Sequence, residues 1–590
     1  MSRTRLLMAS VCLALFAAGC GSGSGGSGAG GSTDSGGSAG NVNGGAAGNA
    51  SGGSAGSANG GAASNANGGS TGNASGGSAG NVKGGSAGNA NGGSAGNAAG
   101  GSIGNPNGGA AGTTPANGGS PGGSAAGGSS AAGGSSSTGG TPMPSTALIT
   151  SAANAYWKTD AKWTEVTSGN AAVTVNDTEA QGWDGFGGAF NELGWSYLTT
   201  KDMQDTALQL LFGDDGCRFA WGRIPIGASD YATSRYTDDE VSSGSDTSMS
   251  SFSIDRDKDK LIPYIKAAQA VKSDIKFWGS PWTPPTWMKA TPYLSPGNPV
   301  NAFDGGTMKS DDATLKAHAQ YFVKWVQAFQ DQGIKIEYVA PQNEPNYQQN
   351  YPSCHWDTAN FVKFVGSYLG PALTAANLST KVMDGTLSNT SGDSDIGQQV
   401  LKDSAAKGFV GVIGVQWGMA AANQITTLKG LANGVPIWVS EHQCGGTMGS
   451  TAPAPNDFNY GKDSWGYIRD AIKNGLTAYN AWNMVLDKGG MGIDNTRKWP
   501  QNALLVADSG QVTPTPAYYV FRHVSQYVDP GAKVVGTSSN DSVAFKNPDG
   551  SIVAVMYNSG SANANYIVAL AGKKLQFSMP GSGWATVKYK

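Results

Sequence analysis

Tyr338-Val339-Ala340-Pro341-Gln342-Asn343-Glu344-Pro345 closes a stretch that starts at Ile336, an apolar run that stops at an amide beside a carboxylic acid. Such a run reads as a strand buried on both faces, with its polar end at the edge of a sheet. Ile437-Trp438-Val439-Ser440-Glu441 repeats the pattern further along the chain. Working outward, runs of the same character occur at Gly185 to Phe190, Phe219 to Ile226, Ile275 to Ser280, Lys381 to Asp384, Val410 to Val415 and Ala478 to Trp482. Helical stretches separate them, such as Asp257 to Val271 and Ala313 to Gln332, the latter with Ala317, Tyr321, Val323 and Phe329 on a partly periodic apolar face. Strands alternating with helices in this way imply an α/β chain whose parallel sheet closes as a (β/α)8 TIM barrel. Chemistry in such barrels gathers at the carboxyl ends of the strands, which brings Glu344 and Glu441 to one mouth.

The rest of the chain has a different texture. With 91 glycines in 590 residues the composition must be divided before it is read. From Gly21 to about Pro144 nearly every residue is Gly, Ser, Ala or Asn, and every tryptophan lies beyond that tract. Within it an eight-residue unit recurs nine times between Gly36 and Asn107, as in GGSAGNVN and GGSIGNPN. The unit has no apolar face, so nothing offsets the entropy of ordering it, and it reads as a disordered tether with a reach of roughly 60 Å. Before it, Arg3 and Arg5, the apolar stretch Leu6 to Ala18 and the small residues ahead of Cys20 read as an export signal. Cys20 resembles the acylated cysteine of a bacterial lipobox, with Ala17 where leucine is usual; an ordinary secretory signal is the alternative. The expected location is an outer-membrane or cell-surface lipoprotein, otherwise a secreted protein, touching membrane only through that anchor. After Pro530 alternating runs with turn signals return, from Lys533 to Lys588, and Asn154 to Val175 looks alike. The expected division is a signal over 1–20, a linker over 21–145, N-terminal strands of a side β-domain over 146–180, the barrel over 181–529 and an antiparallel β-sandwich completed over 530–590.

A formal net charge of -3 leaves no basic stripe for nucleic acid. The histidines His318, His355, His442 and His523 show no ligand spacing with the cysteines, so neither metal nor cofactor is expected. Two carboxylic acids at one rim suit retaining glycoside hydrolysis, which needs them about 5–5.5 Å apart, one to attack the anomeric carbon and one to protonate the leaving oxygen. An ionised Glu441 disfavours a second charge and so keeps Glu344 protonated. Asn343 is placed to bond the sugar hydroxyl beside the reacting carbon, an interaction that strengthens in the transition state.

The stretches GWDGFGGAFNELGW from Gly182, RIPIGASDYA from Arg223, YTDDE from Tyr236, FSIDRD from Phe252, FWGSPWTPPTWMK from Phe277, PQNEP from Pro341, VSEHQCGG from Val439 and AWNMVLD from Ala481 follow one another in a family order. From about Ala152 to the C-terminus the sequence resembles glycoside hydrolase family 30, a clan A barrel family with a side β-sandwich. That family includes glucosylceramidases, β-1,6-glucanases, β-fucosidases, β-xylosidases and glucuronoxylanases. The resemblance implies Glu344 as acid/base, Glu441 as nucleophile, Arg223 as the cation that keeps the nucleophile ionised, and Asp230 as a grip on distal sugar hydroxyls. It also implies Trp282 and Trp482 as walls of the subsite for the sugar being cleaved, which suits the apolar faces of a pyranose. Competing readings are an Arg223–Asp230 structural ion pair and tryptophans that merely pack, as Trp287 is expected to do. His355 and His442 are taken as supporting or surface groups.

Two departures bear on substrate. Gln416-Trp417-Gly418 stands where a His-Trp-Tyr-like segment is expected, and Ala481 precedes Trp482 where an acidic residue is common in glucosylceramidase-like enzymes. The reading is therefore a monomeric hydrolase of β-linked hexose or deoxyhexose, of β-glucosidase, β-fucosidase or β-1,6-glucanase type. The alternatives are a xylanase, xylosidase or glucosylceramidase of the same family, or a carbohydrate-binding surface protein on a dead barrel. In an oxidising compartment a bridge between Cys354 and Cys444 is expected, with Cys217 buried and free.

Overall fold

A computed structural model describes residues 143–291, 301–388, 390–493 and 498–590. The export signal, Cys20 and the repeat tract lie outside the described residues. No described helix is long and apolar enough to cross a membrane.

Eight parallel strands close into a barrel: Gly185–Ala189, Trp221–Ile226, Lys276–Pro281, Ile336–Val339, Lys381–Met383, Val410–Gln416, Ile437–Glu441 and Ala478–Asn483, numbered first to eighth below. All of the expected runs are strands, with ends displaced by a residue or two. The fourth stops at Val339 because Pro341 has no N–H to give the ladder. Beyond it Asn343 resumes pairing, bridging Thr386 and donating its N–H to Pro281 O at 2.8 Å. The expected helix from Asp257 begins as a true α-helix only at Leu261, because Pro263 is tolerated in a first turn and not deeper. Asp311 opens the helix Asp312–Asp331 by accepting from Thr314 N at 3.0 Å, satisfying one of the donors that a helix start leaves free.

Side chains fill the barrel floor. Trp221, Trp278, Tyr338, Met383, Val412 and Trp438 pack together, with Trp221 and Trp438 rings 4.5 Å apart edge to face. The glycines of the first strand make room for them: a Cβ at Gly187 would stand 2.4 Å from Trp221 O. Below this layer Asp184 accepts from Trp438 Nε1 at 2.8 Å and from Thr477 Oγ1 at 2.6 Å.

Ala147–Ala152 pairs with the final strand Gly583–Tyr589, and Val173–Gly182 pairs with Lys533–Thr537, so strands from before and after the barrel build one side β-domain. Its core holds Leu148, Val173, Met556, Leu575, Phe577 and Val587. His523, on the helix Pro516–Ser525, seats this domain on the barrel: its ring nitrogens meet Thr586 Oγ1 and Ser151 Oγ, each at 2.8 Å.

One expectation fails. Cys354 carries a free, buried thiol, so no bridge to Cys444 forms. The loop after Glu344 instead folds inward, with Trp356 N bonded to Pro345 O at 2.7 Å and Cys354 packed in the main core. Cys217 is buried and free.

Asp384, just past the fifth strand, is fully buried with neither carboxylate oxygen hydrogen-bonded among the described residues, and burial raises its pKa well above the usual range. Folded Asp384 thus keeps its proton where the unfolded carboxyl, near pKa 3.9, has lost it. Its contribution to stability is complete below that value and declines by about 1.4 kcal/mol per pH unit as pH rises toward the folded pKa. Asp384→Asn is expected to flatten the fall of denaturation midpoint as pH rises above the ordinary carboxyl range; an unchanged slope would refute this.

Candidate active site

Glu441 closes the seventh strand and Arg223 lies within the second. Arg223 is wholly buried, and its Nη1 donates to Glu441 Oε2. Nε and Nη2 reach Ser280 Oγ at 3.1 and 3.0 Å, and Nη2 also reaches Asn343 Oδ1 at 2.7 Å. Burial pushes the guanidinium pKa down, and the Glu441 charge beside it pushes back. Three tryptophan faces enclose the cation, with Trp282, Trp278 and Trp482 centroids 4.3, 5.0 and 5.2 Å from its carbon. A cation so fixed, in a site of low dielectric, favours the ionised form of the carboxylate it touches.

Glu344 follows Asn343 with φ of 47°, in the left-handed region that a residue with a Cβ enters only under constraint. The constraints are visible on either side. Its N–H donates to Thr386 O at 3.2 Å, and its carbonyl accepts from Tyr347 N at 2.9 Å. Burial, then the charges of Glu441, Asp393 and Asp230, raise its carboxyl well above the ordinary range, while the Gln416 amide pulls the other way. The two glutamates therefore feel one another, and their environments push them apart in acidity.

Asn343 is oriented by two donors on its Oδ1, Arg223 Nη2 and Thr386 Oγ1 at 2.6 Å, which leaves Nδ2 for a ligand. Asp230, 4 % exposed after the second strand, acts electrostatically on both Arg223 and Glu344. The direct ion pair of Arg223 is with Glu441. Trp282 and Trp482 are buried and stack on each other, centroids 5.2 Å apart at 25°. That spacing leaves no slot between them for a pyranose. Contacts and charge thus join Arg223, Asp230, Trp282, Asn343, Glu344, Glu441 and Trp482 at one rim.

Several contributors go beyond the residues singled out from the sequence. Ser280 and Thr386 hold the Arg223–Asn343 pair. Asp393, buried with its pKa raised to about 6 by burial, accepts from Asn346 N and from Ser388 N and Oγ, each at 2.7 Å, tying the loop after Glu344 to the next one. Gln501 Oε1 accepts from Trp482 Nε1 and Asn483 Nδ2, both at 3.0 Å. Place in the last residues of a barrel strand was the available signal for Ser280, and position just past a strand end that for Thr386. Gln501 belongs to a loop, and nothing local marks it. His442 is buried between Tyr479 Oη at 2.6 Å and Ser464 Oγ at 3.0 Å, a packed support behind Glu441. His355 bonds Asn346 Oδ1 at 2.9 Å. The acidic motifs YTDDE and FSIDRD are internal braces: Tyr236 Oη donates to Asp257 at 2.6 Å and Trp287 Nε1 to Asp239 O at 3.0 Å.

A closed barrel with a side β-domain, and two unlike glutamates at its mouth, defines a β-glycoside hydrolase. The glycosyl hydrolase family 30 TIM-barrel domain matches residues 183–528 and the beta sandwich domain of the same family matches 531–587, and the chain belongs to that family. An endo-1,6-beta-D-glucanase of Trichoderma harzianum is 28% identical over 391 residues, covering 63% of this chain and 74% of that protein. The lysosomal acid glucosylceramidase of Mus musculus is 26% identical over 403 residues, 64% and 75% of the two chains. SrfJ from Salmonella typhimurium shares the fold, with a TM-score of 0.66 at 23% identity over 75% of this chain and 99% of that one.

Proposed function

We propose that the enzyme cleaves a β-linked hexose or deoxyhexose with retention, Glu441 attacking the anomeric carbon and Glu344 serving as acid and then base. One observation carries the reading: Glu441 is paired with a buried guanidinium, while Glu344 is held toward its protonated form by burial and by that same neighbouring charge. In the first step the glycosidic C–O bond breaks as Glu441 bonds to carbon, and the Glu344 proton leaves with the departing oxygen. In the second, water bonds to carbon, its proton passes to Glu344, and Glu441 is released as carboxylate. Asn343 Nδ2 and the Asp230 carboxylate supply a donor and an acceptor for sugar hydroxyls. Because Trp282 and Trp482 stack on each other, the sugar would lie beside the pair and not between the two rings.

Family names divide between glucanases acting on β-1,6-linked glucose and glucosylceramidases. The missing hydroxyl at Gly418 and missing acid at Ala481 weigh against copying a glucosylceramide site. Hydrolysis of nitrophenyl β-glucoside, fucoside, galactoside and xyloside, with β-1,6-glucan, xylan and glucosylceramide beside them, tests the choice. Turnover of glucoside, fucoside or β-1,6-glucan is expected, with a basic limb of kcat/KM above the ordinary carboxyl range. Turnover of xylan alone or glucosylceramide alone would replace the reading, and none on any substrate would favour a binding protein.

A further inference from the structure

Gln416 ends the sixth barrel strand, its N–H bonded to Leu387 O at 2.8 Å and its backbone in register with Glu441. The rim is laced in sequence here. Glu344 N bonds Thr386 O, Leu387 bridges Val415, and Gln416 lies against Glu441. Gln416 therefore occupies the arc between the two carboxylic acids. The residue is 6 % exposed, and its Nε2 is buried without a hydrogen bond of full geometry among the described residues. An idle buried donor weakens a fold, and a methionine of the same length would fill the space without that penalty. The Gln416 amide faces the Glu344 carboxyl and favours its ionised form.

We propose that Gln416 is a positioning residue for the acid/base, its Nε2 idle while Glu344 is protonated and closing a hydrogen bond onto the Glu344 carboxylate whenever the proton has left. The inference rests on the role of Glu344 given above. The carboxylate exists at two moments, after the leaving oxygen has taken the proton and before water returns one. A donor aimed at charge that appears only then stabilises the charged state over the resting one, and so acts on rate rather than on substrate affinity. Charge also makes that bond stronger than the one a neutral acid would form. An amide has no titration of its own near neutrality, so Gln416 adds no ionisation beside Glu441, Asp393 and Asp230, the charges that face the acid/base.

The test uses the full enzyme, Gln416→Met and Gln416→Glu, each checked for folding by thermal unfolding and assayed against pH on the best aryl β-glycoside. Gln416→Met is expected to lower kcat about tenfold or more with little change in KM, from loss of a hydrogen bond to a charged group. Its basic limb should move to higher pH while its Tm rises above wild type, because the idle donor is gone. Gln416→Glu, which keeps the shape but adds a carboxyl, should move the basic limb further. A basic limb at the wild-type pH in either folded variant overturns the proposal. So does a Gln416→Met enzyme with lower Tm and unchanged kcat, the signature of a purely structural glutamine. Failure of the acid/base assignment is read separately, as full activity in Glu344→Ala whatever stands at position 416.

Discussion

Glu441→Gln is expected to lower kcat on aryl β-glycosides by roughly 10⁴-fold or more while the protein remains folded. An amide oxygen is too weak a nucleophile to displace an alkoxide, and Glu441 is the carboxylate that Arg223 holds. The substitution leaves an oxygen for the Arg223 Nη1 donor, so the hydrogen bond survives although the charge does not. A second effect separates this change from simple damage. Glu441 is one of the charges that raise the Glu344 carboxyl, so its removal should bring the Glu344 titration to lower pH, measurable by infrared difference spectroscopy. Residual activity above about a hundredth of wild type would remove Glu441 from the bond-forming step.

Arg223→Met is expected to cost about 3–5 kcal/mol of stability and most of the activity. The cation is wholly buried and bonds Glu441, Asn343 and Ser280, so its loss strands a partly buried carboxylate and frees the Asn343 amide to turn. Breaking one side of such a pair is far worse than never having built it, because the remaining charge has no compensation. Without the guanidinium the nucleophile holds its proton to higher pH, and the acidic limb of kcat/KM should move upward. Denaturant unfolding near neutral pH and a pH–rate profile check the two halves. Wild-type stability with the acidic limb unmoved would mean that Arg223 merely packs among its tryptophans.

The barrel was legible because parallel strands buried on both faces must be continuously apolar, and each such run ends where the sheet meets solvent or substrate. Ile336 to Glu344 and Ile437 to Glu441 carried the fold and the chemistry together for that reason. The side domain was legible in kind, since alternation marks a sheet with one covered face, yet its pairing of Ala147–Ala152 with Gly583–Tyr589 joins opposite ends of the folded chain. The Cys354 bridge was a wrong expectation because proximity in sequence to two meeting residues says nothing of where a thiol points; Cys354 turned into the core.

Strand and helix order, the family, and the two glutamates where buried runs give out could be read from the order of residues alone, as consequences of local periodicity and of residue type at a boundary. Tertiary structure alone decided which groups tune them: Ser280 and Thr386 around Asn343, Asp393 behind Glu344, Gln416 between the acids, Gln501 under Trp482. Closing a barrel brings together residues from every strand, and acidity depends on burial, charge and hydrogen bonds over a few ångströms. Those distances are properties of the packed rim, carried by no short stretch of chain.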